Sequence, residues 1–461
     1  MTLSLAGHNR LYDLQSIAGA FFPGASFREG EPRVFSVLEP AGCRTRIEDS
    51  EKSEEAFAPL AGSDKDSLRQ AVKESFFEAA CRFTGFTPDW GVFTGIRPAK
   101  EFARLGSTEA FCRAYHAAPS KAELCEAILK ERESIALPLG EREVSLYVSI
   151  PFCPTRCRYC SFISGAGEKM LARLPEYLEA LERELRLLGA LFERRGLRAA
   201  SLYIGGGTPA VLSPDQLAAL GRVLRESFDL SHRPEFTVEL GRPDAITPEK
   251  LAAAREMGAG RVCVNPQTLN DSVLRSIGRA HTAEQFWQAF EAAQKAGFQA
   301  VNCDLIAGLA GDSLESFSAS LKALIAHGAE NITVHALCQK QGSDLKTQRA
   351  FAPQARETSR MIDFSIRALS EAGYVPYYVY KQKQAVAALE NTGWEKGATP
   401  SLYNILMMDD LATVLGAGAG SSSKIIGKGD PVRVHSPKYP YEYIPADPKE
   451  KIAALEKALG D

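Results

Sequence analysis

The sequence predicts an α/β fold, and three observations carry the prediction. Short apolar strands alternate with helical periodicity six times between residues 144 and 345. Such alternation implies βαβ units and a parallel sheet. Three cysteines, Cys153, Cys157 and Cys160, crowd onto the loop after the first of these strands. Polar side chains gather at the C-terminal ends of the later strands, where both an open doubly wound sheet and a partial (β/α) barrel place their chemistry. The expected organisation is an N-terminal α+β domain over residues 1–140, the repeating units over 141–345 and a C-terminal extension over 346–461 that covers the open end.

In the first part, Val34–Leu38 reads as a strand. The charged stretch 46–66 reads as a loop, and helices are expected near 66–83 and over Lys121–Glu133. The regular pattern starts with VSLYVSI (144–150). Leu174, Leu178, Leu181, Leu185 and Leu188 then recur at helical spacing. ASLYI (200–204) is the second strand. Ser213, Pro214 and Gln216 form a helix start, with Ser as N-cap and Gln closing a capping box. FTVEL (236–240) is the third strand, and Thr247–Pro248 caps the next helix. RVCVN (261–265), AVNCDLI (300–306) and NITVHAL (331–337) complete the six. The tail holds a tyrosine-rich segment, GYVPYYVYKQK (373–383), and a small-residue segment, LGAGAGSSSK (415–424). Of its tyrosines, Tyr374, Tyr377, Tyr378 and Tyr380 could edge a flat aromatic substrate site, with packing on an added strand the expected use.

The chain has 461 residues, 45% hydrophobic and 24% charged, which excludes a fibrous or wholly disordered chain. Lys plus Arg number 54 and Asp plus Glu 57, so the net charge of -3 offers no general attraction to nucleic acid or anionic membrane. No apolar run reaches the ~18–20 residues of a membrane span. The start, MTLSLAGHNRLYDL, lacks a basic region followed by an apolar stretch, so a cytoplasmic protein is expected. There a cysteine cluster signals a metal site or catalysis more often than disulfides.

The loop YVSIPFCPTRCRYCSF (147–162) spaces its cysteines C-x3-C-x2-C. Three thiolates on one short loop can hold three irons of a [4Fe–4S] cube and leave the fourth iron for a small molecule. A structural zinc site would have four ligands, and no fourth lies nearby in sequence. After the second strand, Gly205–Gly206–Gly207–Thr208–Pro209 lets the backbone approach a ligand. No Gly-Lys-Ser/Thr follows, so it is not a phosphate loop. Glu239 ends the third strand, Gln267 follows the fourth, Arg279 comes twelve residues later in GRAH, and Asp304 interrupts the fifth strand. Each alone could be a cap or surface residue; together, at one end of a barrel, they read as one site.

With Tyr159 as its aromatic residue, C-x3-C-x-aromatic-C resembles the cluster loop of the radical S-adenosylmethionine (SAM) superfamily. The resemblance implies a partial (β/α)6 TIM-like barrel and two cofactors, a [4Fe–4S] cluster and SAM. It further implies that the open iron chelates the amino and carboxylate groups of SAM, and that an electron from the reduced cluster yields methionine and a 5′-deoxyadenosyl radical. The strings LYVSIPFC, YIGGGTP, VE followed by a proline, PQ, GR with a nearby His, and DLI-x-GL resemble the oxygen-independent coproporphyrinogen III oxidase group. By that resemblance Tyr147, Gly206, Gly207, Thr208, Glu239, Gln267, Arg279 and Asp304 are the expected SAM contacts. GIRPAK (95–100), VNPQTLN and GAGAGSSSK resemble its HemZ-type coproporphyrinogen dehydrogenase branch.

The implied activity is oxidative decarboxylation of coproporphyrinogen III to protoporphyrinogen IX in haem biosynthesis. A flavodoxin- or ferredoxin-like donor is the implied partner. Oxidases of the best-known branch carry a further cysteine where Phe162 stands here. Related haem chaperones lack it too, and their haem motif has only the stretch Tyr403–Leu406 as a distant counterpart. A methyltransferase or a haem-ring-opening enzyme is a further alternative. The cations considered for substrate propionates are Arg97, Lys100, Arg156, Arg158, Lys381 and Lys383, with Arg156 and Arg158 first.

Overall fold

The computed structural model describes residues 1–22, 25–135, 140, 142–160, 162, 165–338, 351–383, 385–427 and 429–460. The expected boundary at 345/346 and residue 141 lie outside the described residues.

The N-terminal part builds a four-stranded sheet, β1 (Thr2–Ala6), β2 (Arg33–Glu39), β3 (Gly42–Glu48) and β4 (Ser53–Pro59), in that order. Helices Leu11–Phe21 and Lys65–Thr84 accompany it, and a small helical group including Pro119–Arg132 follows. The expected loop over 46–66 is corrected here: about half of it is strand, the end of β3 and the whole of β4. In β4 the inward residues are the small Ala56 and Ala58, buried between exposed or half-buried Ser53, Glu54, Glu55, Phe57 and Pro59. The period of 2 is present, but alanine makes it a faint signal among charges.

The remaining strands are β5 (Glu143–Ile150), β6 (Phe152–Cys153), β7 (Gly165–Ala166), β8 (Arg198–Gly206), β9 (Glu235–Val238), β10 (Arg261–Cys263), β11 (Ala300–Ala307), β12 (Asn331–Ala336), β13 (Val375–Lys381), β14 (Glu390–Glu395), β15 (Val414–Ala417), β16 (Ser422–Ile425) and β17 (Val432–His435). All except β6 and β7, which pair with each other, form one sheet ordered β13-β14-β12-β11-β10-β9-β8-β5-β15-β16-β17. The run from β5 through β8 to β12 is parallel throughout. This is the expected partial (β/α)6 barrel. C-terminal strands extend both edges: β14 joins β12 antiparallel, and β15 joins β5 parallel.

The strands alternate, apart from an irregularity near Ala199 on β8. Val144, Leu146, Val148 and Ile150 on β5, Leu202 and Ile204 on β8, and Phe236 and Val238 on β9 are buried in the apolar core. The intervening residues, Tyr147, Tyr203 and Thr237, line a cavity. With one face of each strand committed to the apolar core, the other is left to supply a site. The helices begin where their caps predict. Ser213 and Gln216 form a reciprocal capping box, and Thr247 caps Pro248–Glu256. The N-terminal part is tied to the tail through Lys121, fully buried, whose ammonium donates to Glu390 Oε1 at 2.8 Å. Trp90 Nε1 donates to the other oxygen at 2.6 Å.

A cavity between the cysteine loop and the strand ends

The chain leaves β5 and turns through Pro151 into the cysteine loop. Gly207 N donates to Ile150 O at 2.9 Å and Thr208 N to Phe152 O at 2.8 Å, so the glycine turn lies directly against the start of the loop. A Cβ on Gly207 would sit 2.3 Å from Phe152 O; one on Gly206, whose φ is +114°, would sit 2.9 Å from Ile150 N. Only glycine permits that approach. Thr208 spends its hydroxyl on the carbonyl of Leu240.

At the other strand ends, Asp304 is held on both oxygens. Asn302 Nδ2 donates to Oδ1 and Asn265 Nδ2 to Oδ2, each at 2.7 Å. His335 Nε2 stands 3.7 Å from Asp304 Oδ2. Burial, with Asp304 adding to it, pushes the Glu239 carboxyl up to about 8. Gln267 is buried and adopts φ +66°, strained for a residue with a side chain, in a bridge to Leu305. Arg279 is buried, with Nη1 3.4 Å from Gly241 O and Nε without a partner among the described residues. His281 lies beyond it, and burial, then Arg279, lowers its ring to about 3.

These groups enclose a cavity of about 220 Å³. Cys153, Cys157, Cys160, Tyr159, Gly206, Gly207, Thr208, Glu239, Gln267, Arg279 and Asp304 all line it. Of the residues expected as SAM contacts, Tyr147 alone lies elsewhere. It lines an adjoining chamber of about 400 Å³ that shares Phe162, Glu239, Asp304 and His335 with the first. There Tyr147, Tyr203 and Tyr403 stack, with ring centroids 6.2 Å apart for Tyr147–Tyr203 and 4.6 Å for Tyr203–Tyr403.

Residues 147–324 match the radical SAM superfamily. The chain is 34% identical to the oxygen-independent coproporphyrinogen-III oxidase-like protein HemZ of Bacillus subtilis, over 83% of this chain and 80% of that one. The chain belongs to the radical SAM superfamily, in the coproporphyrinogen-III oxidase-like group. It is also 37% identical to the haem chaperone HemW of Bacillus subtilis, over 42% of this chain and 50% of that protein. The solved structure of coproporphyrinogen III oxidase (HemN) from Escherichia coli shares the fold, with a TM-score of 0.56, 24% identity and 73% of each chain covered.

A radical SAM protein works with a [4Fe–4S] cluster and SAM, and the donors in this cavity suit that pair. Among the described residues no three His, Cys, Asp or Glu side chains converge on a single metal ion. A cube asks for something different, one thiolate per iron, and three thiols on one cavity wall meet it. The glycine approach and the unpartnered Arg279 Nε leave room and a donor for a second group.

Sequence reasoning missed Arg242. Its guanidinium makes two bonds to Asp244, at 3.0 and 2.9 Å, one to Thr155 Oγ1 at 2.9 Å, and reaches Cys157 Sγ at 3.5 Å. The only signal was an Arg two residues past the third strand end. The cations weighed for propionates lie elsewhere. Arg156 and Arg158 are exposed and line neither cavity. Arg97 is engaged by Met408 O and Asp410. Lys100 is exposed, and Lys381 is buried against Phe93 O. Lys383 donates to the Tyr12 hydroxyl.

Proposed function

We propose that the chain catalyses oxygen-independent oxidative decarboxylation of coproporphyrinogen III to protoporphyrinogen IX. The observation that carries this reading is the junction of the two cavities. The smaller gathers the thiols, glycines and polar side chains; the larger is tyrosine-lined, with polar groups such as Thr237, Asn302 and Arg261 among its walls, and roomy enough for part of a large ligand. Both meet at Glu239, Asp304 and His335. The HemZ match, which extends well beyond residues 147–324, supports the enzyme over the chaperone.

Cys153, Cys157 and Cys160 would hold three irons. The Gly206–Gly207 backbone would accept the amino end of the SAM methionine, and Arg279 its carboxylate. Glu239, Gln267 and Asp304 would hold the ribose hydroxyls or face the sulfonium, with Thr208 and Tyr147 bracing the turn and the chamber wall. When bound, the pair supplies reductive cleavage of SAM and thus a carbon radical that takes hydrogen from a propionate β-carbon. The neighbouring carbon would then release CO2, with one electron passing to a separate one-electron acceptor, leaving a vinyl group. The chain's own part is to exclude water and hold the propionate in line. A flavodoxin- or ferredoxin-like donor and a cytoplasmic setting complete the proposal.

The test is product mass after strictly anaerobic turnover with a low-potential reductant. Loss of two CO2 units from coproporphyrinogen III is the expected result. Porphyrin binding with no decarboxylated product indicates a chaperone. S-adenosylhomocysteine and a product heavier by a methyl group indicate a methyltransferase.

A further inference from the structure

A (β/α) barrel interior is ordinarily filled by branched apolar side chains. This one is polar well below the strand ends. Thr237, Asn302 and Thr333 line the larger chamber alongside the tyrosines. Buried polar groups are costly unless bonded, and most of these are. Thr333 Oγ1 donates to Asn302 Oδ1 at 3.1 Å, and Asn302 in turn serves Asp304.

Arg261 is the exception. It is the first residue of β10, so it sits at the floor of the chamber, and it is 6% exposed. Nη2 donates to Thr399 O at 2.6 Å. Nε and Nη1 have no partner among the described residues. Glu235, two residues before Thr237 on β9, is occupied by the Ser401 hydroxyl and by the backbone amides of Leu402 and Tyr403. Thr237 is the direct cross-strand neighbour of Arg261, and its hydroxyl is also buried without a partner. Nε and Nη1 lie on different edges of the guanidinium, each paired there with one N–H of Nη2, so one such edge beside a hydroxyl matches a carboxylate, which accepts bidentate bonds from Arg.

We propose that Arg261 and Thr237 anchor one carboxylate arm of the substrate at the floor of the barrel and so select a polycarboxylate tetrapyrrole. This rests on the tetrapyrrole reading above. Arg261 stands four residues before Asn265, about 13 Å along the strand from the reacting level. The carboxylate it holds is therefore not the one that leaves. A ligand that satisfies both levels must be broad and carry at least two carboxylates, as coproporphyrinogen does.

The experiment uses the anaerobically reconstituted protein and two probes, coproporphyrin III and its neutral tetra-amide, with binding followed by porphyrin fluorescence. Wild type should prefer the free acid. Arg261→Gln should weaken the acid about tenfold or more, the scale of a lost charge-assisted pair, and leave the amide within about twofold, so the preference collapses. Arg261→Lys, which keeps the charge but not the fork, should fall between. Iron content and melting temperature report folding of both variants. An unchanged acid-to-amide ratio in Arg261→Gln and Arg261→Lys overturns the anchor while leaving the tetrapyrrole reading intact. A wild type that binds neither probe and releases no decarboxylated product overturns both.

Discussion

Arg242 Nη1 lies 3.5 Å from Cys157 Sγ, while the same guanidinium is clamped by Asp244. A fixed cation thus touches one of the three thiols of the cysteine loop. A donor beside a ligating sulfur stabilises the more negative, reduced state of an iron–sulfur cluster. Arg242→Leu should therefore shift the cluster midpoint to a more negative potential in an electron-paramagnetic-resonance redox titration. Cys157→Ala should instead lose the cluster altogether. An unmoved midpoint in Arg242→Leu would show that the contact is only structural.

Arg279, between helices Asp271–Ser276 and Ala283–Lys295, and Asp304, within β11, both face the cavity. Arg279→Ala and Asp304→Ala should each weaken SAM binding by about 1.5–3 kcal/mol, roughly ten- to a hundredfold, with iron content retained. Equilibrium binding on reconstituted protein measures this. Wild-type affinity in both variants would remove these residues from the SAM site.

Glu239 gives a pH signature. Its carboxyl is raised from 4.5 to about 8 by burial, with Asp304 contributing. Between these values the folded protein holds a proton that the unfolded chain releases. The stability linked to that proton is complete below about 4.5 and is lost as pH rises through 8. The melting temperature of SAM-free wild type should therefore drop between about pH 5 and 8 and level off above, and Glu239→Gln should flatten that drop. Parallel curves for the two proteins would contradict the assignment.

The Lys121–Glu390 pair links a helix of the N-terminal part to β14. Removing Glu390 leaves the buried Lys121 only its longer contacts, Asp363 Oδ1 at 3.4 Å and Asp89 Oδ2 at 3.9 Å, and breaking a buried pair typically costs about 3–5 kcal/mol. Glu390→Ala should lower the denaturation midpoint markedly, and Lys121→Met in the same chain should recover much of the loss. A near-neutral Glu390→Ala would mean the two parts hold together without the pair.

What the sequence determined by itself was local. Cysteine spacing places Cys153, Cys157 and Cys160 on one short loop, whatever the rest of the chain does. Ser213 and Gln216 cap a helix because both partners lie within one turn. The six apolar strands were legible because each must present a continuous face to its helices. Contacts between distant segments were decided only in three dimensions. Arg242 and Cys157 are 85 positions apart and Lys121 and Glu390 are 269 apart, and no local pattern names either pair. The edge positions of β14 and β15 depend on which sheet edge remains open once the barrel strands pair. Arg261 reads in sequence as one more strand residue. Only the strand register sets it beside Thr237 at the floor of a polar chamber, with two donors left unmatched. A residue's type sets what it can bond, but the register of strands far apart in the chain decides what is within reach.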